Sequence, residues 1–191
     1  LTTRRQRQMC IRDRNNINIW YEEFGDRSNE TILLIMGANA NCMQWDQEFI
    51  DRLVANNFHV VRFDNRDVGK STWFGNEPAF NKFLKLLPNF LLRILVNSIF
   101  GLAVDDKGKF NFNNPNPEYT LSDMAKDAVA LLEILNIKKA HIIGASMGGM
   151  ITQILALDHP DKVLTITPIM TSPGMQNDSL SGPTAVSYTH L

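Results

Sequence analysis

Residues 140–149 read Ala140-His141-Ile142-Ile143-Gly144-Ala145-Ser146-Met147-Gly148-Gly149. The first four are a short apolar run of the kind that forms a buried strand. Residues 144–149 are small and turn-forming, and the apolar residues 150–157 continue as a helix. A G-x-S-x-G pentapeptide therefore sits between a strand and a helix. The pattern alone is weak, since about one chain in fifteen of this length carries it by chance. The strand entering it and the helix leaving it sharpen it, because that is the setting in which a sharp turn lifts a serine clear of the end of a sheet.

The chemistry follows from the shape of the turn. Ser146 Oγ is held away from the sheet, and Gly144 and Gly148 relieve clashes that a Cβ would cause. The helix N-terminus favours negative charge beside the serine. The Met147 N–H is thus a candidate donor to the oxyanion formed when Ser146 attacks a carbonyl, and one such donor is typically worth about 3 kcal/mol in the transition state. The competing reading is a Gly-rich turn in which Ser146 only caps the helix. A second candidate loop, Met36-Gly37-Ala38-Asn39-Ala40, follows the apolar run 31–35. Its small residues let backbone approach a substrate, and the Ala38 N–H, after Gly37, is the candidate second donor. Its competing reading is a plain loop after a strand.

Outward from these two loops the pattern alternates. Residues 17–24, 31–35, 58–63 and 163–169 read as strands. Asp46 opens a helix with Trp45, Phe49, Ile50, Leu53 and Val54 on one face. Thr120 is a plausible N-cap with Asp123 three residues on, ahead of a stripe of Leu121, Met124, Ala125, Ala128, Leu132 and Leu135. Continuously apolar inner strands alternating with helices predict an α/β fold with a mainly parallel sheet covered by helices on both faces. Residues 80–117 break the rhythm and read as a helical, cap-like insertion. Its Leu, Phe and Ile residues could cap an apolar pocket, pack on the core, or lie on a membrane surface; Lys82, Lys85, Pro88 and Arg93 make it a poor span.

The loop Phe63-Asp64-Asn65-Arg66-Asp67-Val68-Gly69-Lys70-Ser71, taken with the G-x-S-x-G elbow at 144–148, carries a resemblance. The chain resembles the α/β-hydrolase superfamily, in its esterase branch near aclacinomycin methylesterase, over blocks 32–37, 63–71, 119–127, 140–149 and 158–163. The resemblance implies carboxylic-ester hydrolysis of a small, apolar substrate through an acyl-enzyme on Ser146, with Ala38 and Met147 as oxyanion donors and no metal or organic cofactor. It implies a bracing role for Asp64 and Arg66. Relatives of the same fold cleave thioesters, lactones or C–C bonds, or act as cofactor-free perhydrolases, and the fold does not separate these.

Two departures stand out. Met36 occupies a position where many relatives have His. The family order is Ser, then Asp or Glu, then His, and the native-looking chain stops soon after the strand 163–169. His141 lies roughly 16 Å from Ser146 along a strand, and His159 roughly 20 Å along a helix. His59 sits inside a strand, and Asp178 is a weak candidate acid. The expectation is a hydrolase fragment carrying nucleophile and oxyanion hole but nearly inactive alone. The alternative is a non-catalytic ligand-binding homologue.

Composition bounds the rest. The 191 residues carry a net charge of −1, with 44% hydrophobic and 20% charged residues. That excludes a disordered, collagenous or disulfide-scaffold chain and gives no sign of nucleic-acid binding. The ends look foreign. Codons can be chosen for residues 8–14 and 185–191 that are reverse complements over about twenty nucleotides, as an adaptor read through at both ends would give. Setting 1–14 aside takes five arginines and one aspartate with it and moves the charge from −1 to −5. It also removes Cys10, leaving Cys42 without a disulfide partner and favouring a reducing, cytoplasmic setting. The expected unit is a partial hydrolase domain over 15–184, with its last strand an unprotected edge.

Overall fold

The computed structural model describes residues 7–12, 17–74 and 118–172. They fall within one compact unit, residues 1–74 with 118–173. The insertion expected at 80–117, Asp178, and the end 185–191 lie outside the described residues.

The strands are β1 (Arg7–Arg12), β2 (Asn18–Phe24), β3 (Thr31–Ile35), β4 (His59–Phe63), β5 (Ala140–Ala145) and β6 (Val163–Ile169). The helices are α1 (Gln47–Ala55), α2 (Leu121–Ile134) and α3 (Met147–Asp158). One sheet has the order β1-β2-β4-β3-β5-β6. β3 runs parallel to β4 and to β5, and β5 parallel to β6. β2 is antiparallel to both its neighbours. The mainly parallel sheet expected from the alternating pattern is what forms.

Each inner strand sends alternate side chains to opposite faces. Leu33 and Ile35, with Val61, Phe63 and Ile142, join the cluster that holds Met124, Ala128, Leu131, Leu132, Ile151 and Leu155 of α2 and α3. Ile32, Leu34 and Val60 join Trp45 and Ile50 in a second cluster under α1. Both faces of the central strands are therefore dry, which is why β3 and β4 are buried at every position. Ile50 is the buried anchor of α1, and burying such a side chain contributes about 1.5–3 kcal/mol.

The helix starts match the chemistry of their first residues. Asp46 accepts from the Phe49 N–H at 3.1 Å. Thr120 and Asp123 form a reciprocal capping box. The Thr120 backbone N–H and hydroxyl, with Lys126, hold the Asp123 carboxyl down to about 2. β6 pairs only with β5 among the described residues, and four of its seven positions are exposed.

Residues 7–12, set aside in sequence as foreign-looking, pair antiparallel with β2, Met9 opposite Tyr21. The physical reason is that an edge strand offers a row of free backbone groups, and an extended segment can add to it through main-chain hydrogen bonds.

Candidate active site

β5 ends at Ala145 and α3 begins at Met147, so one residue makes the whole junction. The helix starts three residues earlier than the apolar run suggests. Ser146 carries φ 54° and ψ −118°, a left-handed φ that costs a residue with a Cβ on the order of 1–3 kcal/mol. The surroundings hold it there. The Ser146 N–H donates to Ile169 O on β6 at 2.8 Å, and the Gly149 N–H donates to Ser146 O at 2.9 Å. The side chain is exposed and makes no capping hydrogen bond. Among the competing readings, the simple N-cap therefore loses its defining contact.

The two elbow glycines serve close approach. A Cβ on Gly144 would lie 2.2 Å from Gly148 O, and one on Gly148 would lie 2.2 Å from Ile35 O. Neither position admits a side chain unless backbone moves. Through Gly148 the start of α3 is pressed onto the end of β3, and this brings the loop after β3 to the serine. A Cβ on Gly37 would sit 3.1 Å from Ser146 Cβ and 3.6 Å from Ser146 Oγ. The structure thus brings Gly37, Gly144, Ser146, Met147 and Gly148 together at the C-terminal end of the sheet. Ala38 follows Gly37 and is exposed. Met147 is the first helical residue, and its N–H has no acceptor within the helix. Among the described residues the Ala38 and Met147 N–H groups have no recorded hydrogen-bond acceptor.

The charged loop after β4 is built differently. Asp64 Oδ1 accepts from the Cys42 N–H at 2.8 Å and Oδ2 from the Lys70 N–H at 3.0 Å. Gly69, at φ +55°, leaves room for that carboxylate, since a Cβ there would meet Oδ2 at 2.1 Å. Arg66 forms a two-pronged pair with Asp127 of α2, Nε to Oδ2 at 2.7 Å and Nη2 to Oδ1 at 2.6 Å. Phe74 and Tyr119 cover the same guanidinium, 5.1 and 4.8 Å from its centre. Burial and a hydrogen bond to Asp67 push the Tyr119 phenol far above its ordinary range. Asp64 and Arg66 are thus engaged in bracing, as the resemblance implies.

The three described histidines lie at the other end of the sheet from Ser146. His59 opens β4 and is buried, its Nδ1 3.0 Å from Thr31 Oγ1. His141, near the start of β5, has Nδ1 2.8 Å from Thr165 Oγ1. His159 ends α3, where its N–H donates to Leu155 O. A cavity of about 320 Å³ opens at that same far end, lined by Thr31, His59, Asn136 and Lys139 among others; it is not at the elbow. Burial, with the Asp64 carboxylate, raises the Cys42 thiol well above the ordinary range. Among the described residues no cluster suits a metal ion, and no helix is long and apolar enough to cross a membrane.

Sequence reasoning missed Asn65. Its side-chain Nδ2 donates to Met36 O at 3.0 Å, tying the loop after β4 to the loop that carries Gly37 and Ala38. Nothing in the local pattern signals a bond between residues 29 apart.

Comparison with known proteins bears on the fold and the family. The sequence pattern of the family described as alpha/beta hydrolase fold matches residues 30–189. Rhodomycin D methylesterase DnrP of Streptomyces peucetius is 30% identical over 156 residues, 82% of this chain and 40% of that protein. Rhodomycin D methylesterase DauP of Streptomyces sp. (strain C5) is 29% identical over 157 residues, with the same 82% and 40%. The chain therefore spans about two fifths of the length of these relatives. A solved structure from a study of carboxylesterases of the Thaumarchaeon Nitrososphaera gargenis superposes with a TM-score of 0.59. It is 26% identical, and the match covers 87% of this chain and 46% of that one.

Proposed function

The chain belongs to the α/β-hydrolase fold family, and from that premise we propose that it carries the nucleophile and oxyanion hole of a serine carboxylesterase. Ser146 Oγ attacks the carbonyl carbon of a small, apolar ester. The Ala38 and Met147 N–H groups receive the negative oxygen of the tetrahedral intermediate. A histidine from outside the described residues takes the serine proton and passes it to the departing alcohol, leaving an acyl-enzyme that water then hydrolyses. Similarity to two methylesterases supports an ester as the substrate. The chemistry runs on side chains and backbone alone.

One observation carries the reading. Ser146 stands at a left-handed φ with an exposed side chain that caps nothing, and a Cβ on Gly37 would come 3.6 Å from its Oγ. A serine retained only as a helix cap has no need of that strain. Since the described histidines sit at the far end, the proton acceptor is expected from outside the described residues. The test is hydrolysis of p-nitrophenyl butyrate by the gene-length protein, with fluorophosphonate labelling in parallel. Ser146→Ala is expected to abolish labelling and lower the rate by roughly 10⁴-fold or more. Parent-level turnover in that variant would reject the mechanism. A gene-length protein that binds esters without turning them over would instead be the ligand-binding homologue.

A further inference from the structure

We propose that Asn65 is a positioning residue for the oxyanion loop, its carboxamide fixing the Met36 carbonyl and thereby the direction in which the Ala38 N–H points. The inference rests on the reading of Ser146 and Ala38 just given. β3 leaves the sheet at Ile35, whose ladder partner is Gly144. Met36 is the first residue beyond the ladder, and its carbonyl is gripped by Asn65 Nδ2 at 3.0 Å. It is the amide nitrogen that faces Met36, because a carboxamide oxygen cannot donate to a carbonyl. Asn65 is buried, with 3% of its surface exposed, and its own backbone carbonyl accepts the Val68 N–H at 3.2 Å. The donor is thus mounted on a closed turn.

The neighbouring residue holds the other end of the loop. Asp64 Oδ1 accepts from the Cys42 N–H at 2.8 Å. Residues 37–41 are therefore spanned between two clamps supplied by adjacent positions at the end of β4. Within the span, the Ala40 N–H closes on Gly37 O at 3.3 Å, and Asn39 takes φ 57°. Ala38 itself is exposed, so the direction of its N–H is set from the ends. On the inner side, Gly148 presses on the same carbonyl, since a Cβ there would lie 2.8 Å from Met36 O. The Met36 carbonyl is consequently fixed between Asn65 and the start of α3, in register with the serine. Oxyanion stabilisation depends on such placement, and a shift of about 1 Å commonly costs on the order of a hundredfold in rate.

The test uses the gene-length protein and p-nitrophenyl butyrate. Asn65→Leu removes the donor at similar size, and Asn65→Asp replaces it with an acceptor facing the carbonyl. Both are expected to lower kcat roughly tenfold to a hundredfold while KM stays within about twofold, the pattern of an interaction made chiefly in the transition state. Folded variants with parent kcat, or losses confined to thermal stability, would overturn the inference. A measurement on the unsubstituted protein guards against variants that fail to fold. Forming the fluorophosphonate adduct is expected to shift the side-chain amide resonance of Asn65 together with the backbone amide of Ala38, and an unmoved Asn65 resonance would overturn the proposal. Ser146→Ala separates the two levels. If that variant retains activity, the reading of the site fails; if it is inactive while Asn65→Leu keeps full kcat, only the role of Asn65 fails.

Discussion

The loops after β4 and β5 flank the loop after β3, and they are built on opposite plans. Each places a non-glycine residue at left-handed φ, Asp67 at 59° and Ser146 at 54°. After β4 the backbone is tied by side chains: Asp64 to two amides, Ser71 Oγ to Asp64 O, Arg66 to Asp127. After β5 it is tied by main-chain bonds and by missing side chains at Gly144 and Gly148. The loop rich in charge has its charges occupied, and the loop poor in charge presents a hydroxyl with no capping role. On the proposed reading, the conspicuous charged motif supports the site and the plain one holds the reactive oxygen.

The comparison can be broken first at the Arg66–Asp127 pair, whose side chains are 5% and 4% exposed. Asp127→Ala strands a buried guanidinium and is expected to cost about 3–5 kcal/mol in denaturant unfolding. A loss under about 1 kcal/mol, the range of an exposed pair, would show that the charged loop is not held as described. The next effect belongs to the other loop. Gly148→Ala places a methyl against Ile35 O and is expected to destabilise by about 1–3 kcal/mol, with slowed fluorophosphonate labelling because Ser146 and Gly37 are driven apart. An unchanged melting temperature and labelling rate would mean that this close approach has no consequence.

The smallest effect sharpens the contrast from the far end of β4. Burial lowers the pKa of His59, partly offset by the Glu23 carboxylate, whose Oε2 lies 3.7 Å from Nε2. With the folded value below the ordinary one of about 6.5, the unfolded chain takes up the proton first as pH falls. The stability contributed by the neutral ring is complete above that pH and is lost below it, toward the folded value. Melting temperature should therefore fall between pH 7 and 5 by more in the parent than in His59→Asn. An equal fall in both would contradict a buried neutral histidine.

Local periodicity made most of the framework legible. Residues 31–35 and 140–143 announced buried strands, and Thr120 with Asp123 announced the capped start of α2. The elbow was readable because close approach leaves its mark in sequence as glycine. The bonds that join elements were not readable. Arg66 meets Asp127 across 61 residues, Arg62 meets Glu22 across 40, and Asn65 meets Met36 across 29. Each partner looks like an ordinary loop or surface residue until the sheet order brings it in. The pairing of β1 was invisible for a related reason, since main-chain hydrogen bonds at a sheet edge place few demands on side chains.

The most direct measurement is a crystal structure of the gene-length protein after reaction with a fluorophosphonate. The expected result is phosphorus bonded to Ser146 Oγ, with one phosphoryl oxygen about 2.7–3.1 Å from both the Ala38 and the Met147 nitrogens. An adduct on another residue, or a phosphoryl oxygen turned away from those two amides, would contradict the assignment of nucleophile and oxyanion hole.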